Sequence, residues 1–277
     1  MKRPGLVVAA VALAAVASGL VLMTASSVAA GSLPTLTLGL TKNTITVGGS
    51  EVSGAVNIVT TVTGESNDSP ALLLLKPGVT AAQFAAAAQR TVGKGSPFDA
   101  LDPYASIVFD GFAAQGTPSR AETWLPPGTY VALENGNGHA VFTVTPNATP
   151  ALLPAPGAEI DAIDFGFRGA STLHDGELVR FKDDGYLIHM FLFQQVKSVA
   201  DAAKAEALLL AGNPKEATKK YGIGAGGEFA GPLSHAELQQ EVVNEPPGIY
   251  VIACAMNAED GRDHYELGMF RTITIVK

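Results

Sequence analysis

The chain has one cysteine, Cys254, and five histidines, His139, His174, His189, His235 and His264. A lone thiol cannot close a disulfide within the chain. Three roles are open to it: a small buried hydrophobe on a strand, a metal ligand, or half of an intermolecular disulfide. Other chemistries find little support. No G-x-S-x-G, H-E-x-x-H or C-x-x-C occurs, so hydrolase, zinc-protease and thiol-oxidoreductase readings have no foothold. Gly222-Ile223-Gly224-Ala225-Gly226-Gly227 matches G-x-G-x-x-G in letters but follows a helical segment, whereas phosphate binding needs a strand before it and a helix after it. It reads as a flexible loop. The acidic run Asn257, Glu259, Asp260 and Asp263 around Gly261 lacks the alternating oxygens of an EF-hand loop and reads as a solvated turn.

The elements that must position these residues come in two copies. Leu125-Pro126-Pro127-Gly128-Thr129-Tyr130-Val131-Ala132-Leu133 corresponds to Glu245-Pro246-Pro247-Gly248-Ile249-Tyr250-Val251-Ile252-Ala253. In each copy a Pro-Pro-Gly turn feeds an apolar strand, and a later strand closes the copy, Ala140 to Val144 and Phe270 to Val276. A helical insert precedes each turn. Thr80 caps an Ala-rich run from Ala81 to Gln89, with Gln83 completing a capping box. Ser198 with Asp201 opens a helix to about Ala211, and Asn213-Pro214 starts another that Gly222 stops. Short strands rich in Thr, Val, Ile and Phe (Thr44 to Val47, Val56 to Val62, Ile160 to Phe167, Glu177 to Phe181) predict antiparallel sandwiches. The proline-rich stretch 149–157 reads as a semi-rigid linker.

The second copy resembles a cupredoxin, the blue-copper fold. Four places carry the resemblance: Gly176-Glu177-Leu178-Val179-Arg180-Phe181, then His189, then Pro247 to Cys254, and finally His264 with Gly268-Met269. The copy is also similar to exported actinobacterial cupredoxin-like proteins with the same proline-glycine strand and cysteine. The family's ligand order is His, Cys, His, Met, which the resemblance maps onto His189, Cys254, His264 and Met269. Chemistry groups the four in the same way, because a thiolate, two imidazoles and a weak thioether suit copper. Two departures stand out. The family keeps its cysteine and second histidine on one tight loop, whereas nine residues, Ala255 to Asp263, separate them here. Such a loop returns His264 to the site only if Asn257 to Gly261 folds as its own turn. The family's asparagine before the ligand region is also missing, with Asp183-Asp184 near its place.

In the first copy Glu134 stands in the place of Cys254 and an alanine near that of His189, so the first copy has no metal site of this type. The predicted organisation is a signal peptide over 1–30, a degenerate cupredoxin-like β-sandwich over 31–148, a linker over 149–157, and a second cupredoxin-like sandwich over 158–277. The signal reading rests on Met1-Lys2-Arg3, an apolar run to about Met23, and Val28-Ala29-Ala30 before Gly31. No cysteine follows that could take a lipid, and no later run could span a membrane.

Loss of Lys2 and Arg3 leaves 16 bases against 26 acids, a formal charge of −10. No basic run is denser than Lys215 to Lys220, which excludes nucleic-acid and anionic-membrane partners. The expectation is a secreted or cell-envelope copper protein, an electron carrier to a redox or envelope partner if the site cycles or a copper-holding protein if it does not. The alternative is a metal-free β-sandwich module with a binding or structural role. No enzymatic activity is expected, because five scattered histidines cannot build the extra copper centres of an oxidase.

Overall fold

Proline and glycine punctuation, together with β-branched runs, resolves into nineteen strands and four α-helices in a computed structural model that describes residues 32–64, 67–91, 97–134 and 138–277. The segment read as a signal peptide lies outside the described residues. The first half holds β1 (Thr35–Thr41), β2 (Thr44–Gly49), β3 (Gly54–Val62), β4 (Asn67–Asp68), β5 (Ala71–Leu75), α1 (Ala81–Thr91), α2 (Pro97–Leu101), β6 (Ala105–Asp110), β7 (Ala113–Ala114), β8 (Ser119–Leu125), β9 (Gly128–Leu133) and β10 (His139–Val144). The second half holds β11 (Ala158–Ile163), β12 (Gly166–Gly169), β13 (Thr172–His174), β14 (Leu178–Asp183), β15 (His189–Val196), α3 (Val199–Leu210), α4 (Pro214–Tyr221), β16 (Gly222–Leu233), β17 (Leu238–Val242), β18 (Gly248–Ala253) and β19 (Phe270–Val276), with a 3-10 turn over His264–Leu267.

Each half is a sandwich built on one plan. In the first, β2-β1-β3-β8 faces β10-β9-β5-β6; in the second, β12-β11-β14-β17 faces β13-β19-β18-β15-β16. The repeat read from Pro-Pro-Gly thus extends to strand order. Most neighbours are antiparallel, with parallel pairs β1–β3, β11–β14 and β13–β19. The two Pro-Pro-Gly blocks also share a hydrogen bond. Tyr130 Oη donates to the Pro126 carbonyl at 2.8 Å, and Tyr250 Oη to that of Pro246 at 2.6 Å, which gives each buried ring a partner for its hydroxyl.

The halves are joined edge to edge, because β8 pairs with β17 (Thr123 with Gln239, Glu122 with Gln240) to give one eight-stranded sheet. Ile107 N–H also donates to Ser234 Oγ at 2.9 Å. One buried cluster accordingly draws side chains from both halves, among them Leu73, Ile107, Phe181, Phe191, Tyr250 and Cys254. The helix caps form as the sequence implies. Gln83 N–H donates to Thr80 Oγ1 at 3.2 Å and Thr80 N–H to Gln83 Oε1 at 2.9 Å, while Ser198 Oγ accepts from Asp201 N–H at 3.2 Å.

Two local expectations fail. The glycine-rich segment 222–227 is not a loop but the start of β16, where Gly226 and Gly227 pair with Gln194 and Phe193. The pairing with β15 shifts register between Gln194 and Val196, an irregularity that the conformational freedom of glycine accommodates. The stretch Ile160 to Phe167 is not one strand but a hairpin, in which β11 and β12 pair around a two-residue turn at Asp164-Phe165. Among the described residues no helix is long and apolar enough to cross a membrane.

Candidate metal centre

His189 and Cys254 come from adjacent strands. Side chains alternate along β15, so His189, Phe191 and Phe193 share its buried face. Stacked rings lie beneath them: Phe193 on Phe229 at 4.2 Å and Phe229 on Phe181 at 5.2 Å between centroids. Antiparallel pairing of Leu192 with Ala253 brings the end of β18 to the start of β15. Cys254, the next residue after β18, therefore lies within reach of His189, and Met190 N–H donates to Cys254 Sγ at 3.4 Å.

The long interval after Cys254 closes on itself. Asn257 Nδ2 donates to Asp263 Oδ1 at 2.7 Å, and Ala258 N–H to the Arg262 carbonyl at 2.8 Å. The residues between them form a turn that adds length without moving its ends apart. Asp263 then caps the 3-10 turn, with Glu266 completing a capping box, and Gly268 at φ 95° ends it. His264 N–H donates to the Met256 carbonyl at 2.7 Å, Met269 N–H to the His264 carbonyl at 3.0 Å, and Cys254 N–H to the Met269 carbonyl at 3.2 Å. These bonds seat His264 over the thiol and bring the backbone of Met269 back to Cys254.

The donor atoms of His189, Cys254 and His264 all lie within 4.8 Å of one another, and all three side chains are buried. Cys254 Sγ is 3.4 Å from His264 Nδ1 and 3.9 Å from His189 Nδ1, and the two Nδ1 atoms are 3.2 Å apart. Burial, and then the neighbouring His264, pushes the His189 pKa down to about 4. Burial also holds His264 below the ordinary imidazole range. Both rings are thus neutral near pH 7, the form that ligates metal. His264 Nε2 is buried with no hydrogen-bond partner among the described residues. A thiol and two neutral imidazoles converging on one small volume fit a soft or borderline transition metal, and copper is such an ion. Met269 is fully buried in the cluster that contains Cys254, and Met256 lies there as well.

His139 and His174 stay exposed and distant in role, with His174 Nδ1 3.3 Å from the Lys277 carbonyl. His235 is exposed, stacks on Tyr186, and holds the Gly185 carbonyl. Sequence reasoning missed three residues beside the centre. Asp164 Oδ1 lies 3.3 Å from His189 Nε2. Phe165 packs edge-on against His264, with ring centroids 5.3 Å apart at 90°. Gly185 runs so close that a Cβ on it would overlap His189 Nε2. Asp164-Phe165 is the two-residue interval of a hairpin, but Phe165 occupies a left-handed position (φ 61°) where glycine or asparagine is expected, so the hairpin looked like a strand.

No family model matches the chain, and no curated protein matches it. Solved structures do. Auracyanin A, a "blue" copper protein from Chloroflexus aurantiacus, is 22% identical over 43% of this chain and 96% of its own, at a TM-score of 0.26. A multicopper oxidase is 13% identical over 87% of this chain and 88% of its own, at 0.24. A copper nitrite reductase from Nitrosomonas europaea is 11% identical over 88% of this chain and 93% of its own, at 0.23. The expectation that the chain is not an enzyme is corrected here, because two of these proteins, matched over most of the chain, are an oxidase and a reductase. Likeness at this level concerns the fold alone. The fold is a pair of β-sandwiches on one plan, and the case for a metal stands on three buried donors of this chain.

Proposed function

We propose that this chain is an exported copper protein in which His189, Cys254 and His264 hold one copper ion, Met269 supplies a weaker thioether neighbour, and the centre exchanges electrons with a protein partner. The observation that carries the reading is the meeting of one thiol and two imidazoles, all buried, from three separate segments. Bound copper supplies one-electron chemistry between its Cu(I) and Cu(II) states. The chain's own residues exclude water from the donors, keep both imidazoles neutral, and direct the Met190 N–H at the sulfur. Hydrogen bonding around the cysteine sulfur is one of the levers that set such a site's potential. Export is supported by the basic start, apolar run and small residues before Gly31. In this reading residues 31–148 and 158–277 are the two sandwich units and only the second carries the centre.

A metal-free module accounts less well for the donors, since it gives no reason for His189 Nδ1, His264 Nδ1 and the Cys254 sulfur, carried by three separate segments, to converge in a buried volume. The test is metal content and visible absorption after adding Cu(II) to the purified protein. The expected result is one copper per chain and a thiolate-to-copper band that Cys254→Ser abolishes. His264→Ala with unchanged affinity and spectrum would overturn the proposal.

A further inference from the structure

The turn between β11 and β12 reaches both histidines with two consecutive residues. Asp164 meets His189, and Phe165 lies edge-on to His264. One Asp164 oxygen, Oδ1, accepts from Tyr186 N–H at 2.9 Å and Leu187 N–H at 3.2 Å and faces His189 Nε2 at 3.3 Å. The same oxygen therefore anchors the loop entering β15 and the ring at its first position. An oxygen that already accepts from two backbone N–H groups faces His189 as an acceptor, so Nε2 is the ring nitrogen that carries the proton. Nδ1 is left with its lone pair, and Nδ1 is the atom that faces Cys254 and His264.

Two further observations show that this contact is built in. Gly185 leaves room for it, because a Cβ there would overlap His189 Nε2 and lie 2.7 Å from Asp164 Oδ1. Phe165 keeps a backbone conformation that bulky residues avoid, and strain of this kind persists where the surroundings impose it.

We propose that Asp164 is the positioning residue of the centre: its carboxylate fixes His189 as the Nε2–H tautomer, presents Nδ1 to the metal, and lends the ring negative charge that favours the more oxidised ion. The effect on the metal rests on the copper reading above, whereas the tautomer does not. Outer carboxylate partners of this type orient ligating imidazoles and raise their basicity.

The experiment compares wild type with Asp164→Asn and Asp164→Ala. Asparagine retains an acceptor for Tyr186, Leu187 and His189, so it preserves the loop while removing the charge. Nitrogen-15 NMR of the metal-free protein should show His189 protonated at Nε2 in wild type and Asp164→Asn, and a mixture of tautomers in Asp164→Ala. With Cu(II) added, Asp164→Ala should bind about tenfold to a hundredfold more weakly. Asp164→Asn should bind close to wild type, with its thiolate band retained and a raised reduction potential. An unchanged tautomer and affinity in Asp164→Ala, or an unchanged potential in Asp164→Asn, would overturn the assignment. Failure of wild type to take up copper would defeat the copper reading instead, and the tautomer would still decide the role of Asp164.

Discussion

Asn257 Nδ2 donates to Asp263 Oδ1 at 2.7 Å, joining the two ends of the turn that separates Cys254 from His264. A carboxylate acceptor makes this a charge-assisted bond, worth about 1.5–3 kcal/mol. Asn257→Ala should loosen the return of His264 and weaken copper binding by about tenfold or more. Titration of the variant with Cu(II) checks this; unchanged affinity would mean that the 3-10 turn alone seats the histidine.

Met269→Leu tests the fourth residue. Leucine has nearly the volume of methionine, so the fold should lose less than about 1.5 kcal/mol. Copper should remain bound, and the reduction potential should rise because a weak sulfur donor to Cu(II) has gone. Voltammetry of the loaded variant measures it, and an unaltered potential would remove Met269 from the site.

Gly185→Ala should be far worse than an ordinary surface change. The added methyl would displace His189 from Asp164, costing about 1–3 kcal/mol by overpacking. Copper affinity should fall with it. Calorimetric melting and copper titration report the two losses separately, and wild-type values in both would show that the Gly185 backbone yields freely.

A pH effect arises where the halves meet. Asp110 on β6 and Glu228 on β16 share the Ser69 hydroxyl, at 3.4 and 3.3 Å. Burial, and then Glu228, pushes the Asp110 pKa well above 3.8, and burial raises that of Glu228 above 4.5. The folded chain therefore keeps protons that the unfolded chain releases near pH 4. Stability should fall as pH rises from about 4 until the folded-state pKa values are passed, at about 1.4 kcal/mol per pH unit per retained proton. Asp110→Asn should flatten this slope, gaining on wild type as the pH rises above about 4. Denaturant unfolding across that range checks it, and parallel curves would refute it.

The two tyrosine bonds test the repeat. Tyr130→Phe and Tyr250→Phe each remove a buried hydroxyl that donates to a proline carbonyl four residues earlier. Each should cost about 1 kcal/mol, and by similar amounts. Unequal melting shifts would show that the blocks have diverged energetically.

Local rules made much of this protein legible in its sequence. Pro-Pro-Gly before an apolar run marks a strand start whatever surrounds it, so Gly128 to Leu133 and Gly248 to Ala253 could be read directly, as could the caps at Thr80 and Ser198. Ligand types and order could be read because soft donors are few: one cysteine, five histidines and five methionines leave few sets that could share a metal. Tertiary structure decided the rest. Whether nine residues between Cys254 and His264 defeat the site depends on the Asn257 to Asp263 bond, which no spacing rule encodes. The edge pairing of β8 with β17 and the cluster buried between the halves arise from contacts more than a hundred residues apart in the chain. Asp164 lies 25 residues from His189, on a turn held in a conformation that its own phenylalanine disfavours. A side chain's local preference records only its neighbours in the chain, and the partner of His189 was chosen by the packing of the whole sandwich.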